Sequence, residues 1–148
     1  MYCLDRKNLW LIGTALYWAE GAKQKEHAVS TAVRLSNSDP RIIKIFLIWL
    51  SEICEIPRDK IQFRIELHET ARHRLDEIKQ YWAKVVKCSV SDFQKTTWKK
   101  HNIRTTRKNI GKDYYGLLRV IVRKSTNLNR KIEGWSQGIY NNCGVVQW

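Results

Sequence analysis

Between Lys87 and Lys131 the chain carries thirteen lysines and arginines against two acids, Asp92 and Asp113. Lys95, Lys99, Arg119 and Arg123 fall at even spacings, and on strands even spacing puts side chains on one face of a sheet. Arg104, Arg107 and Lys108 lie in the polar stretch 102-NIRTTRKNIGKDY-114. A face rich in Arg, Lys, Thr and Asn can contact phosphates and base edges, and a two-stranded ribbon fits the major groove. A solvated charged face is the simpler alternative. Seven basic residues between Gln94 and Lys112, with no acid among them, favour nucleic acid.

Two other groups invite a chemical reading. The string 68-HETARH-73 is one residue away from the HExxH zinc helix. Five residues turn a helix through about 140° beyond a full turn, so the two imidazoles diverge. A strand end followed by a helix start suits these residues better. Glu20 ends the apolar stretch 9-LWLIGTALYWAEGAK-23, just before Gly21. A carboxylate in the last turn of a helix faces the negative end of its dipole. The simplest reading is an exposed acid paired with Lys23.

The elements that position these groups follow from periodicity. Leu9, Ile12, Leu16 and Ala19 predict a helix over 7–20, with Gly21 as its C′ residue. AVSTAVRLS at 28–36 alternates as a half-buried strand, Arg34 on the polar side. Asp39 and Pro40 cap and open a helix to about Ile53. In 61-IQFRIELH-68, Ile61, Phe63, Ile65 and Leu67 face in, and Gln62, Arg64, Glu66 and His68 face out. A helix over 71–87 carries Leu75, Ile78, Tyr81, Trp82 and Val85. Residues 93–101 and 115–124 read as strands. Ser125 or Thr126 caps a last helix with Leu128, Ile132, Trp135 and Ile139 on one side.

The 148 residues, 43% apolar and 28% charged, suit a single α+β domain over 1–148 with a real core. The net charge of +13 implies an anionic partner. No apolar run is long enough to span a bilayer, and the N-terminus does not read as a signal peptide. The four scattered cysteines suit a reduced, intracellular protein.

Aligned without gaps, 13-GTALYWAEG-21 resembles the LAGLIDADG motif of homing endonucleases. Leu16, Ala19 and Gly21 match it, and Glu20 stands for its last acid. Gly13, Thr14, Ala15, Tyr17 and Trp18 depart from it, Trp18 replacing the middle Asp. The block 29–50 also resembles the strand–helix segment of compact family members. The helix at 71–87 has no counterpart in the family's usual order.

The resemblance implies helices packed on one face of an antiparallel β-sheet whose other face is basic. It implies a homodimer in which two motif helices pack side by side through small residues, here Gly13, Thr14, Ala15 and Ala19. Two copies of Glu20 would then meet and hold Mg2+, with the backbone of Ala19 or Gly21 completing the shell. Glu20 would be the catalytic residue of metal-dependent phosphodiester cleavage. Double-stranded DNA of near-palindromic sequence would lie across Arg34, Arg64, Lys95, Lys99, Lys100, Arg104, Arg107, Lys108, Arg119, Arg123 and Lys124. A non-catalytic, sequence-specific DNA-binding regulator on the same scaffold is the alternative. A basic module for an acidic protein partner is a third reading.

Overall fold

The computed structural model describes residues 4–22, 32–100 and 111–144. These form an α+β fold of four α-helices and one four-stranded mixed sheet. In chain order the elements are α1 (Arg6–Glu20), β1 (Arg34–Asn37), α2 (Pro40–Glu52), β2 (Ile61–His68), α3 (Leu75–Val86), β3 (Thr97–Lys99), β4 (Leu117–Val122) and α4 (Thr126–Asn142). Short 3₁₀ turns at Arg58–Lys60, Glu69–Arg74 and Val90–Asp92 join them.

The strand order is β1-β4-β2-β3. β4 is central and pairs antiparallel with both β1 and β2. β3 pairs parallel with β2, so the sheet is not wholly antiparallel as expected. The cause is the α3 excursion. A chain that leaves β2, runs through a helix and returns can lie beside β2 in the same direction, as parallel strands require.

One face of the sheet is the core. Val33, Leu35, Phe63, Ile65, Leu67, Leu118, Val120 and Val122 are buried there in strict alternation. All four helices contribute to the same cluster, through Tyr17, Phe46, Trp49, Ile78, Trp82 and Ile132. Tyr17, Phe46 and Trp49 stack with centroids 5.7–6.3 Å apart, within the range of favourable aromatic pairs.

The capping signal before α2 holds. Asp39 accepts from the Arg41 amide at 2.8 Å, and Pro40 opens the helix. Other elements are shorter than their patterns predict. The segment expected to start a strand at 28 is described only from residue 32, and its ladder begins at Arg34. The strand expected over 93–101 reduces to Thr97–Lys99, because Ser89 and Asp92 form a reciprocal capping box around a 3₁₀ turn just before it. The helix expected from 71 starts at Leu75, behind the 3₁₀ turn that follows His68. Ser125 precedes α4 but does not cap it with its side chain. Its hydroxyl accepts from the Val33 amide and donates to the Val122 carbonyl, each at 2.7 Å, tying the ends of β1 and β4 together.

α1 differs most from its pattern. Its buried residues are Gly13, Thr14 and Tyr17, while Ile12, Ala15, Trp18 and Ala19 are exposed. A Cβ on Gly13 would lie 2.0 Å from Cδ1 of Trp49, so the missing side chain is what lets α1 sit on α2. Gly21 has extended backbone rather than the left-handed form of a helix-ending glycine. It is needed for closeness instead: a Cβ there would lie 2.4 Å from the Tyr17 carbonyl oxygen and 2.5 Å from its ring.

Candidate nucleic-acid interface

The sheet face opposite the helices collects side chains that alternate with the core. In register across it lie Arg34, Ile121 and Gln62; then Ser36, Arg119 and Arg64; then Leu117, Glu66 and Thr97; then His68 and Lys99. Four of the predicted nucleic-acid residues, Arg34, Arg64, Lys99 and Arg119, therefore share one surface. Arg64 and Arg119 are direct cross-strand partners. Like charges placed opposite each other repel.

Glu66 offsets that repulsion. It projects from the outer face yet is 3% exposed, because Lys99 and Arg119 cover it. Its Oε2 lies 2.9 Å from Lys99 Nζ, and its Oε1 contacts Arg119 Nη2. Burying a lone carboxylate is costly, and two cations offset the cost. The Arg119 Nε also donates to Ser36 Oγ at 3.0 Å. Sequence reasoning placed Glu66 on the outer face but assigned it no part. The available signal was that it is the lone acid among the outward residues of β2.

The other predicted basic residues divide. Lys95 and Lys100 are exposed but flank β3 rather than lie in it. Arg123 follows β4, where its Nη2 donates to the Asp59 carbonyl at 2.6 Å and its amide to Lys60 at 2.9 Å. It ties the strand end to the turn before β2 while remaining exposed. Lys124 is exposed in the turn to α4 with φ of 50°, a left-handed conformation. Arg104, Arg107 and Lys108 lie outside the described residues.

Where residues 111–115 enter β4, Arg74 holds the chain. Its Nη1 donates to the carbonyls of Gly111 at 2.7 Å and Tyr114 at 3.0 Å, and its Nη2 to Lys112 at 3.0 Å. Glu77 takes two further bonds from the same guanidinium at 2.8 and 2.9 Å, and Arg74 holds the Glu77 carboxyl below its ordinary range. Trp82 Nε1 donates to the Tyr115 carbonyl at 2.8 Å. Arg72 lies over Trp98 of β3, 4.4 Å from the ring centre.

Glu20 sits at the exposed end of α1, and the chain after it joins the sheet edge. Gly21 bridges Leu35, and the Ala22 amide donates to the Arg34 carbonyl at 3.0 Å. The residue that follows Glu20 is thus already paired with the strand that carries Arg34. Tyr17 fixes this junction from below. Its hydroxyl lies 3.3 Å from Asn129 Oδ1 and 3.4 Å from the Ala22 carbonyl, and burial raises its pKa against the opposing pull of Arg34. A cleft of about 320 Å³ opens between this end of α1 and α4, and Glu133 lines it together with Trp18 and Gly21.

The small residues expected to pack against a second copy have two different fates. Gly13 and Thr14 are buried against the rest of the chain and are not available to a partner. At Gly13 the neighbour is Trp49, whose indole fills the space beside the glycine. Ala15 and Ala19 remain on the surface beside Ile12 and Trp18. Among the described residues, no group of three or more His, Cys, Asp or Glu is arranged to hold a metal ion, and no helix is long and apolar enough to cross a membrane.

No protein-family model, no curated protein and no solved structure matches the chain.

Proposed function

We propose that this chain is a homodimeric DNA-binding protein of LAGLIDADG-like plan that cleaves phosphodiester bonds with magnesium. The observation that carries the reading is the junction of α1 with the sheet edge. It ties the end of α1, with the exposed carboxylate of Glu20, to the backbone of β1, the edge strand that carries Arg34. Double-stranded DNA suits that face, because its arginines, lysine and neutral Gln62, Ser36 and Thr97 match phosphates and base edges.

The second copy docks through the exposed side of α1. Ile12 and Trp18 are 41% and 46% exposed, and Ala15 and Ala19 are exposed on the same helix. Exposed apolar residues contiguous along one helix are a usual mark of an interaction surface. A two-fold axis through this stripe brings the two α1 helices together.

The donor set at Glu20 fits a hard cation. Its carboxylate makes no ion pair among the described residues, and the last carbonyls of a helix lack helical donors. Glu20 of each copy, with the carbonyl of Ala19 or Gly21, would hold the ion. Bound magnesium supplies an activated water and stabilises the leaving oxygen. The chain's own residues orient the duplex: Arg34 and Arg64 hold its backbone along the outer face of the sheet.

Trp18 favours a second reading, a DNA-binding regulator that does not cut. An indole on the pairing stripe holds the two helices apart and separates the two carboxylates. One experiment divides the readings. A mixed pool of duplex DNA is incubated with the protein and magnesium and scored for nicks and double-strand breaks. The endonuclease cuts, and Glu20→Gln binds DNA as tightly as wild type without cutting. Salt-sensitive binding without cleavage in any divalent metal selects the regulator. Equal cutting by Glu20→Gln removes Glu20 from the site.

A further inference from the structure

Arg119 is held differently from the other two arginines of the outer face, while Lys99 shares its carboxylate partner, Glu66. Its Nε donates to Ser36 on β1, and its Nη2 contacts the buried Glu66 on β2. It stands on the central strand between these two partners. Arg34 and Arg64 make no side-chain hydrogen bond and no ion pair among the described residues. A guanidinium has five N–H donors in a fixed fork. With Ser36 and Glu66 served, three N–H donors, both on Nη1 and the second on Nη2, have no partner among the described residues, which leaves the end of the fork open, and the side chain is 30% exposed.

A pinned fork suits one kind of target. Guanine presents O6 and N7 side by side in the major groove, and an arginine reads both at once only if its plane is correctly set. A phosphate accepts from many directions and needs no such setting. The carboxylate itself argues the same way, since Glu66 beside a phosphate would repel it. At 3% exposure, Glu66 is also too covered to accept a hydrogen bond from a base. It lies covered by Arg119 and Lys99.

We propose that Arg119 is the base-reading residue of this surface, selecting guanine, and that Glu66 is its positioning residue. The inference rests on the DNA-binding reading above. It goes further in dividing the basic face into one residue that reads sequence and others, Arg34 and Arg64, that hold backbone.

The test is a selection from a random-sequence duplex pool with the full chain. Affinities for the selected site and its single-base variants are then measured over a range of salt. Wild type selects a guanine in each half-site, and replacing that guanine weakens binding by about tenfold or more. Arg119→Lys keeps the charge and loses the fork. The preference at that one position falls below about threefold, with the salt slope unchanged. Glu66→Gln relaxes the same position while binding unrelated DNA as well as wild type or better. Thermal unfolding shows whether Glu66→Gln is folded, and Arg119→Lys decides alone if it is not. An unchanged base profile in Arg119→Lys, or an equal loss on every sequence, overturns the proposal. So does a wild-type protein that binds DNA with no base preference, although DNA binding itself then stands. A wild-type protein that binds no duplex removes the DNA reading and this inference together.

Discussion

Gly13 of α1 lies against the indole of Trp49 of α2, with no room between them for a methyl group. Trp49 is fully buried and stacks on Phe46 and Tyr17 while its edge meets Trp135 of α4. It therefore has no direction in which to give way. Gly13→Ala forces two packed helices apart and should cost about 2–3 kcal/mol, at the upper end of overpacking in well-filled cores. Thermal unfolding reads this as a clear drop in Tm, roughly 2–4 °C for each kcal/mol. A Tm within a degree of wild type would show that the two helices can part to admit a methyl group at little cost.

Ala15 tests the other side of the same helix. It is exposed in the single chain, so Ala15→Arg should change the stability of the isolated chain by no more than about 0.5 kcal/mol. In the proposed dimer it puts two arginines face to face on the axis. Sedimentation should find a wild-type dimer and an Ala15→Arg monomer. A wild-type monomer at high concentration, or an Ala15→Arg dimer, sinks the α1 pairing.

The contrast between Gly13 and Ala15 shows what was legible in the sequence. Period-two alternation found β2 and the buried face of β1, because each strand has one wet and one dry side. Asp39 and Pro40 marked α2 because capping is local chemistry. The buried side of α1 was misread. Apolar residues surround that helix, and the face that packs inward is chosen by Trp49, thirty-six residues away in sequence. The parallel placement of β3 depends on where α3 returns the chain, which no local pattern states. On the outer face, alternation located Arg34, Arg64 and Arg119, but the Glu66 contacts arise from cross-strand register. Arg123 kept its predicted parity and was taken up by Asp59.

Arg74 offers a test of how the entry to β4 is held. It serves three carbonyls of residues 111–114, and its side chain is 17% exposed. Arg74→Gln reaches too short a distance and leaves most of these acceptors without a donor. Tm should fall, and chymotryptic cleavage at Tyr114 and Tyr115 should speed several-fold, since local opening exposes that backbone. Glu77→Gln keeps Arg74 in place and should have the smaller effect. Equal cleavage rates in wild type and Arg74→Gln would mean that Trp82 and the sheet hold the segment without it.

Acid should weaken the start of α2 through Asp39. Its carboxylate accepts from the Arg41 side chain at 2.7–3.1 Å and from the Arg41 amide at 2.8 Å. The Arg41 side chain first, then its amide, lowers the Asp39 pKa from 3.8 to about 2. A folded-state pKa below the unfolded one gives stability that is complete above the unfolded value and is lost as pH falls through the folded value. The window is therefore pH 4 down to about 2. Asp39→Asn keeps a capping oxygen and loses the charge that binds Arg41. Its Tm should lie below wild type at pH 7, and the gap should close as both are acidified toward pH 2. A gap of the same size at pH 7 and pH 2 would mean that the ionised pair adds nothing to the fold, and that the cap alone sets the helix start.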